Sequence, residues 1–163
     1  MNKNQGWLTQ LQSFVDQIIS NVYQWPAEKR TTLNIMRCIE ANQHCLNKEA
    51  FPTYGCYYIQ LAQIIDHFLS HENQKKFTPE LSWFCKHWET FECEQSLTLN
   101  HVIIEIDSDS LSFKKFVVHR KQNEITRYCQ SALYCSEHMF HRHPNSIETF
   151  NLTNGQRYIE WSS

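Results

Sequence analysis

The sequence predicts an α+β fold: N-terminal helices packed on a small antiparallel sheet, with one further helix between two C-terminal hairpins. Three observations carry this. Apolar residues recur at helical spacing through the first half of the chain. The character changes at His101-Val102-Ile103-Ile104-Glu105-Ile106, a β-branched run of strand type. Near the C-terminus, Thr153-Asn154-Gly155 separates two short segments in the manner of a hairpin turn.

The clearest helix covers 7–23. Trp7, Leu8, Leu11, Phe14, Val15, Ile18, Ile19 and Val22 make one wide apolar stripe, opposite Asp16, Gln17 and Asn21. Trp25-Pro26 ends it, and Pro26 suits the first turn of a second helix at about 27–46, buried through Ile35, Met36, Ile39 and Leu46. A turn-rich connection with Pro52 follows, and Gly55 closes it. A third helix from Cys56 to about His71 buries Tyr57, Leu61, Ile64, Ile65 and Phe68 and leaves His67 on its wet side, solvated with His71. Thr78-Pro79-Glu80 carries a capping hydroxyl, a first-turn proline and an acid, the signature of a helix to about Phe91 with Leu81, Phe84, Trp88 and Phe91 inward. Trp83 falls off that stripe, as a contact-surface residue would.

Two strands, His101–Ile106 and Leu111–His119, pair through the turn Asp107-Ser108-Asp109-Ser110. Residues 124–142 fit a helix capped by Asn123 and ended by His143-Pro144, with Ile125, Tyr128, Cys129, Ala132, Met139 and Phe140 on one face. Ile147–Leu152 and Gln156–Trp161 form the last hairpin. The sheet is therefore expected from residues 100–119 and 147–161.

The 163 residues suit a single domain over 1–163 with a real core. A net charge of −2 supplies no basic surplus for phosphate backbones, so nucleic acid is not an expected partner. No apolar run is long enough for a membrane span. The residues Met1-Asn2-Lys3-Asn4-Gln5-Gly6 lack the apolar region of a signal peptide, and seven cysteines are an odd count. Both point to reduced thiols in a cytoplasm, or in a host cytosol reached without a classical signal peptide.

Chemistry centres on Gly55-Cys56. A thiolate at a helix N-terminus is stabilised by unpaired N–H groups and the dipole, and the glycine lets a substrate come close. A nucleophilic thiol needs a base and a group to orient that base, and His101 opens a hydrophobic strand that can hold an imidazole rigidly. Cys56 can equally serve as a buried core thiol. The order of cysteine heading a helix, then histidine heading a strand, then a polar residue, resembles the papain-like and transglutaminase-like superfamily of cysteine peptidases, acyltransferases and deamidases. The match runs through Gly55-Cys56-Tyr57-Tyr58 and Asn100-His101-Val102-Ile103-Ile104, over about 50–125. Gln122 is similar to the orienting glutamine of the cycle-inhibiting-factor group of effector deamidases; Asp107 and Asp109 are alternatives. The resemblance implies a thiol-dependent enzyme acting on an amide: Cys56 nucleophile, His101 base, Gln122 orienting residue. The Cys56 backbone N–H would contribute to an oxyanion hole.

Two other readings stand beside it. Cys129, Cys135, His138, His141 and His143 have the density of a zinc site, and Cys135 with His138 can chelate if Cys85 or Cys93 adds ligands. No cofactor other than such a zinc is expected. High aromatic content, Trp83 and near-neutral charge suit a non-enzymatic module that binds another protein: an adaptor, inhibitor or effector.

Overall fold

The computed structural model describes residues 3–75 and 79–163, with side chains from Gly6 onward. Helices α1 (Lys3–Tyr23), α2 (Thr32–Asn42) and α3 (Tyr54–Asn73) come first. Strands β1 (Leu81–Glu92), β2 (Gln95–Ile106) and β3 (Leu111–Val117) follow, then helix α4 (Gln122–Phe140) and strands β4 (Ser146–Asn151) and β5 (Gln156–Ser162). The fold is α+β, with one five-stranded sheet in the order β1-β2-β3-β4-β5. No helix among the described residues is long and apolar enough to cross a membrane.

The described residues fall into two compact units. The first holds 3–75, 116–119 and 151–156. Its core is the α1 stripe of Leu11, Phe14, Val15, Ile18, Ile19 and Val22, with Ile35 and Ile39 of α2 and Tyr57, Leu61, Ile64 and Phe68 of α3. The second helix is shorter than expected. Residues 27–29 make only a single 3₁₀ turn, and α2 restarts where the Thr31 hydroxyl accepts from Asn34 N, meeting one of the donors a helix start leaves unpaired. Gln12 satisfies the backbone at the end of β3. Its amide donates to Phe116 O at 3.1 Å and accepts from Val118 N at 2.9 Å, as a neighbouring strand residue would. His67 is tied down rather than solvated: its Nδ1 donates to Leu152 O at 2.7 Å.

The second unit holds 79–115, 120–150 and 157–163. Its core joins Leu99, Val102 and Ile104 of β2, Leu111 and Phe113 of β3, Tyr128, Ala132 and Cys135 of α4, and Ile147 of β4. The segment expected to be a helix ending near Phe91 is strand β1; the expected cap at Thr78 lies outside the described residues. Every residue from Leu81 to Glu92 except Lys86 is in register with β2, from Leu81↔Ile106 to Glu92↔Gln95. That ladder, together with burial of Cys85, outweighs the local helix-start signal at Pro79-Glu80. Leu81 and Phe91, expected inward, are 56% and 72% exposed.

The sheet is mixed rather than wholly antiparallel. β1–β2 and β2–β3 are antiparallel. Asn145 N donates to Leu111 O and Leu152 N to Val117 O, so both strands advance in the same sense and β4 runs parallel to β3. Helix α4 is the crossover that such a connection requires. It starts one residue after Lys121, and Asn123 lies inside it, accepting from Glu124 N, instead of capping it. His141, at φ 53°, closes it in the left-handed conformation. Met139, expected on the buried face, is exposed. On the sheet face away from this core, Glu105, Lys114, Glu148 and Arg157 alternate in charge across β2 to β5, with Lys114 Nζ 2.5 Å from Glu105 and Arg157 bidentate to Glu148 at 2.7 Å.

Candidate functional site

Cys56 occupies the first turn of α3, in the first unit. The Thr53 hydroxyl caps that helix and accepts from Cys56 N at 3.0 Å. The Cys56 N–H is therefore engaged by Thr53, and the expected oxyanion role for it is not available in this arrangement. The thiol itself is partly exposed. In the same unit Phe51 meets Tyr57 edge to face and Trp7 at a tilt, while Tyr54 and Tyr58 lie exposed and Lys48 Nζ donates to Tyr58 OH at 3.1 Å.

His101 and Gln122 belong to the second unit. His101 does not open its strand; it sits within β2 at φ 55°, the left-handed region that side chains with a β-carbon rarely adopt. The β1–β2 register skips Lys86 opposite His101, yet continues unshifted on both sides. Before the kink the core residue of β2 is Leu99; after it the core residues are Val102 and Ile104. On β1 the core-facing positions likewise pass from Cys85 to Trp88. The left-handed residue thus turns the strand over by one position, so that both halves present apolar side chains to α4. Beside the kink His87 Nδ1 donates to Asn100 Oδ1 at 2.6 Å, and the His101 ring lies 6.3 Å from that of Phe84.

Gln122 begins α4 and lines a groove of 1040 Å³ together with residues 95–98 of β2; His101 is not among its lining residues. The rest of the lining is Asn123, Thr126, Arg127, Gln130 and Ser131. Sequence reasoning missed this groove because its β2 wall, residues 95–98, carried no recognisable strand signal.

Cys135 and His138 diverge. Cys135 is buried in the core, where burial, with neighbouring Cys85 adding, pushes its thiol up to about 12. His138 is exposed and stacks on Tyr134 at 3.8 Å, with Nδ1 3.0 Å from the Tyr134 carbonyl. Among the described residues no group of three or more His, Cys, Asp or Glu side chains is placed to hold a metal ion. A second groove, of 590 Å³ in the first unit, has Cys38 among its lining residues. The amides of Asn21 and Asn42 reach the Cys38 sulfur at 3.8 and 3.7 Å; burial raises this thiol, against those two bonds.

Trp83, expected on a helix, lies instead on the edge strand β1, 44% exposed, with its ring 6.3 Å from Phe140. What fold and sites define is an α+β chain with a mixed sheet and, among the described residues, an unpaired and partly apolar β1 edge. No family model matches the chain, and no curated protein or solved structure matches it.

Proposed function

We propose that the protein is a binding module for another polypeptide, which it takes as an added strand along β1. One observation supports this above others. β1 is a 12-residue edge strand, and among the described residues no strand pairs with its outer side. Such an edge offers a row of backbone donors and acceptors. Leu81 and Trp83 at one end and Phe91 at the other supply exposed apolar side chains to anchor the added strand, with Lys86, His87 and Glu89 between them. The test is selection of extended peptides from a random display library on the full chain, followed by amide hydrogen exchange. Selected peptides should slow exchange in β1, and Trp83→Ala and Phe91→Asp should each weaken them about tenfold or more with the fold intact. Protection elsewhere, or unchanged affinity in both variants, sinks the reading.

A second reading is thiol chemistry on an amide, with Cys56 as nucleophile. It is favoured by the place of Cys56, partly exposed in the first turn of a 20-residue helix. Iodoacetamide should then label Cys56 below pH 8 faster than the exposed Cys45 and Cys93. Equal rates at these three thiols would remove it.

A further inference from the structure

We infer that the groove between α4 and the start of β2 is a binding site for an elongated, hydroxyl-rich small molecule carrying one anionic group, of the class of phosphorylated or carboxylated oligosaccharides. Four features of the groove, independent of the β1 edge, carry the inference.

The first is charge. Among the described residues Arg127 is the one charged side chain lining the groove, and no acid lines it. Glu124, in the first turn of α4, is held 3.4 Å from Lys121, which offsets its charge. The second is the N-terminal end of α4 itself. This helix has 19 residues and Lys121 gives it no side-chain cap, so backbone N–H groups at Gln122 and Asn123 are left for a ligand.

The third is Ser131. It lines the groove, is 2% exposed, and its hydroxyl makes no hydrogen bond to the described residues. Every fully enclosed side-chain polar atom among those residues does have a partner. The Ser131 hydroxyl is therefore not fully enclosed, and since this residue lines the groove a ligand oxygen there would satisfy it. The fourth is the neutral polar lining. Gln95, Thr98 and Gln130 offer amides and a hydroxyl with both donor and acceptor capacity, the complement of sugar hydroxyls. Leu97 is the one large apolar side chain of the lining, so the groove offers little to a flat apolar ring.

Length follows from the helix. Gln122 and Ser131 are nine residues apart on α4, about 13 Å along its axis. Arg127 lies between them. An anionic group held by the helix end and Arg127 leaves the rest of the ligand to run toward Ser131. Inorganic phosphate alone cannot span that distance.

Titration of isotope-labelled full-length protein, followed by amide NMR shifts, tests this with four probes: trehalose 6-phosphate, lactobionate, maltose and inorganic phosphate. The site is supported if either acidic disaccharide shifts residues 95–98 and 122–131 at concentrations where maltose and phosphate do not. Which of the two binds more tightly tells phosphate from carboxylate. Arg127→Ala should then weaken binding about tenfold, the effect of losing one charge-assisted bond. Ser131→Ala should weaken it several-fold without changing the free protein's stability. The inference is overturned if neither acidic disaccharide shifts these residues up to about 10 mM, a concentration that would saturate a site with a dissociation constant of about 1 mM. Equal response to inorganic phosphate alone, which marks an adventitious ion only, overturns it too.

Discussion

A β-carbon placed on Gly155 would lie 2.6 Å from Cδ2 of His67 and 2.9 Å from its Nε2. The ring cannot easily retreat, because its Nδ1 is bound to Leu152 O. Gly155 also adopts φ 71°. Gly155→Ala should therefore cost about 2–3 kcal/mol, from left-handed strain and from the clash together. In a His67→Ala background the same substitution should cost only about 1 kcal/mol, the backbone part. Urea denaturation of the four proteins in this cycle measures both numbers; equal costs in the two backgrounds would show that the ring does not matter.

His101 yields a prediction with an unusual sign. In an ordinary strand, alanine is more stabilising than glycine by about 0.5–1 kcal/mol. At φ 55° the order should reverse, with His101→Gly more stable than His101→Ala by about 1 kcal/mol. Both variants lose the imidazole, so its contacts cancel in the comparison. Alanine proving the better residue would mean that β2 is not kinked at this point.

The tip of the β1–β2 hairpin is a two-residue loop, Cys93-Glu94, with both residues left-handed at φ 46° and 63°. This is the geometry of a type I′ turn, which favours Asn-Gly. Replacing Cys93-Glu94 by Asn-Gly should raise stability by about 1–2 kcal/mol in chemical denaturation. No gain would argue against the turn.

Glu72 makes stability depend on acid. Burial raises its carboxyl pKa, but the hydrogen bond from His71, the charge of Lys75 at 3.2 Å and the hydroxyl of Tyr23 outweigh that and hold it at about 2, against 4.5 when unperturbed. A carboxyl whose folded value is depressed contributes stability above its unfolded value and loses it as pH falls through the folded one. The loss, at most about 3 kcal/mol, should fall between about pH 4.5 and 2. Glu72→Gln should be less stable at pH 7 and flatten the profile in that window. A variant profile parallel to that of the parent would show that other carboxylates govern acid unfolding.

Much of the fold is legible because it is written locally. The α1 stripe, the β2–β3 hairpin and the Gly155 turn each rest on neighbouring residues. β1 is not legible, for a physical reason found at its end. A hairpin turn is recognised by Asn or Gly, and here it is made by Cys93-Glu94. With the turn hidden, Leu81, Phe84, Trp88 and Phe91 read as a helical face by accident of spacing. The kink at His101 compounds this, since it breaks the period-two alternation that would mark one continuous strand. It also hid the first half of β2, and with it one wall of the Arg127 groove. The position of Cys56 in the first turn of α3 was legible from its flanking residues, but engagement of its N–H by Thr53 depends on side-chain geometry that spacing does not reveal.

The parallel pairing of β3 with β4 carries a consequence for how the chain is assembled. β1, β2 and β3 are joined by short turns, and β4 and β5 by another, so each piece closes only small loops. The seam between the pieces closes only after α4 has crossed over, which makes it the slow step by topology. Pulsed amide exchange during refolding should find the β2–β3 ladder protected before the Leu152–Val117 bond. Simultaneous protection would mean instead that α4 and the seam form part of the nucleus.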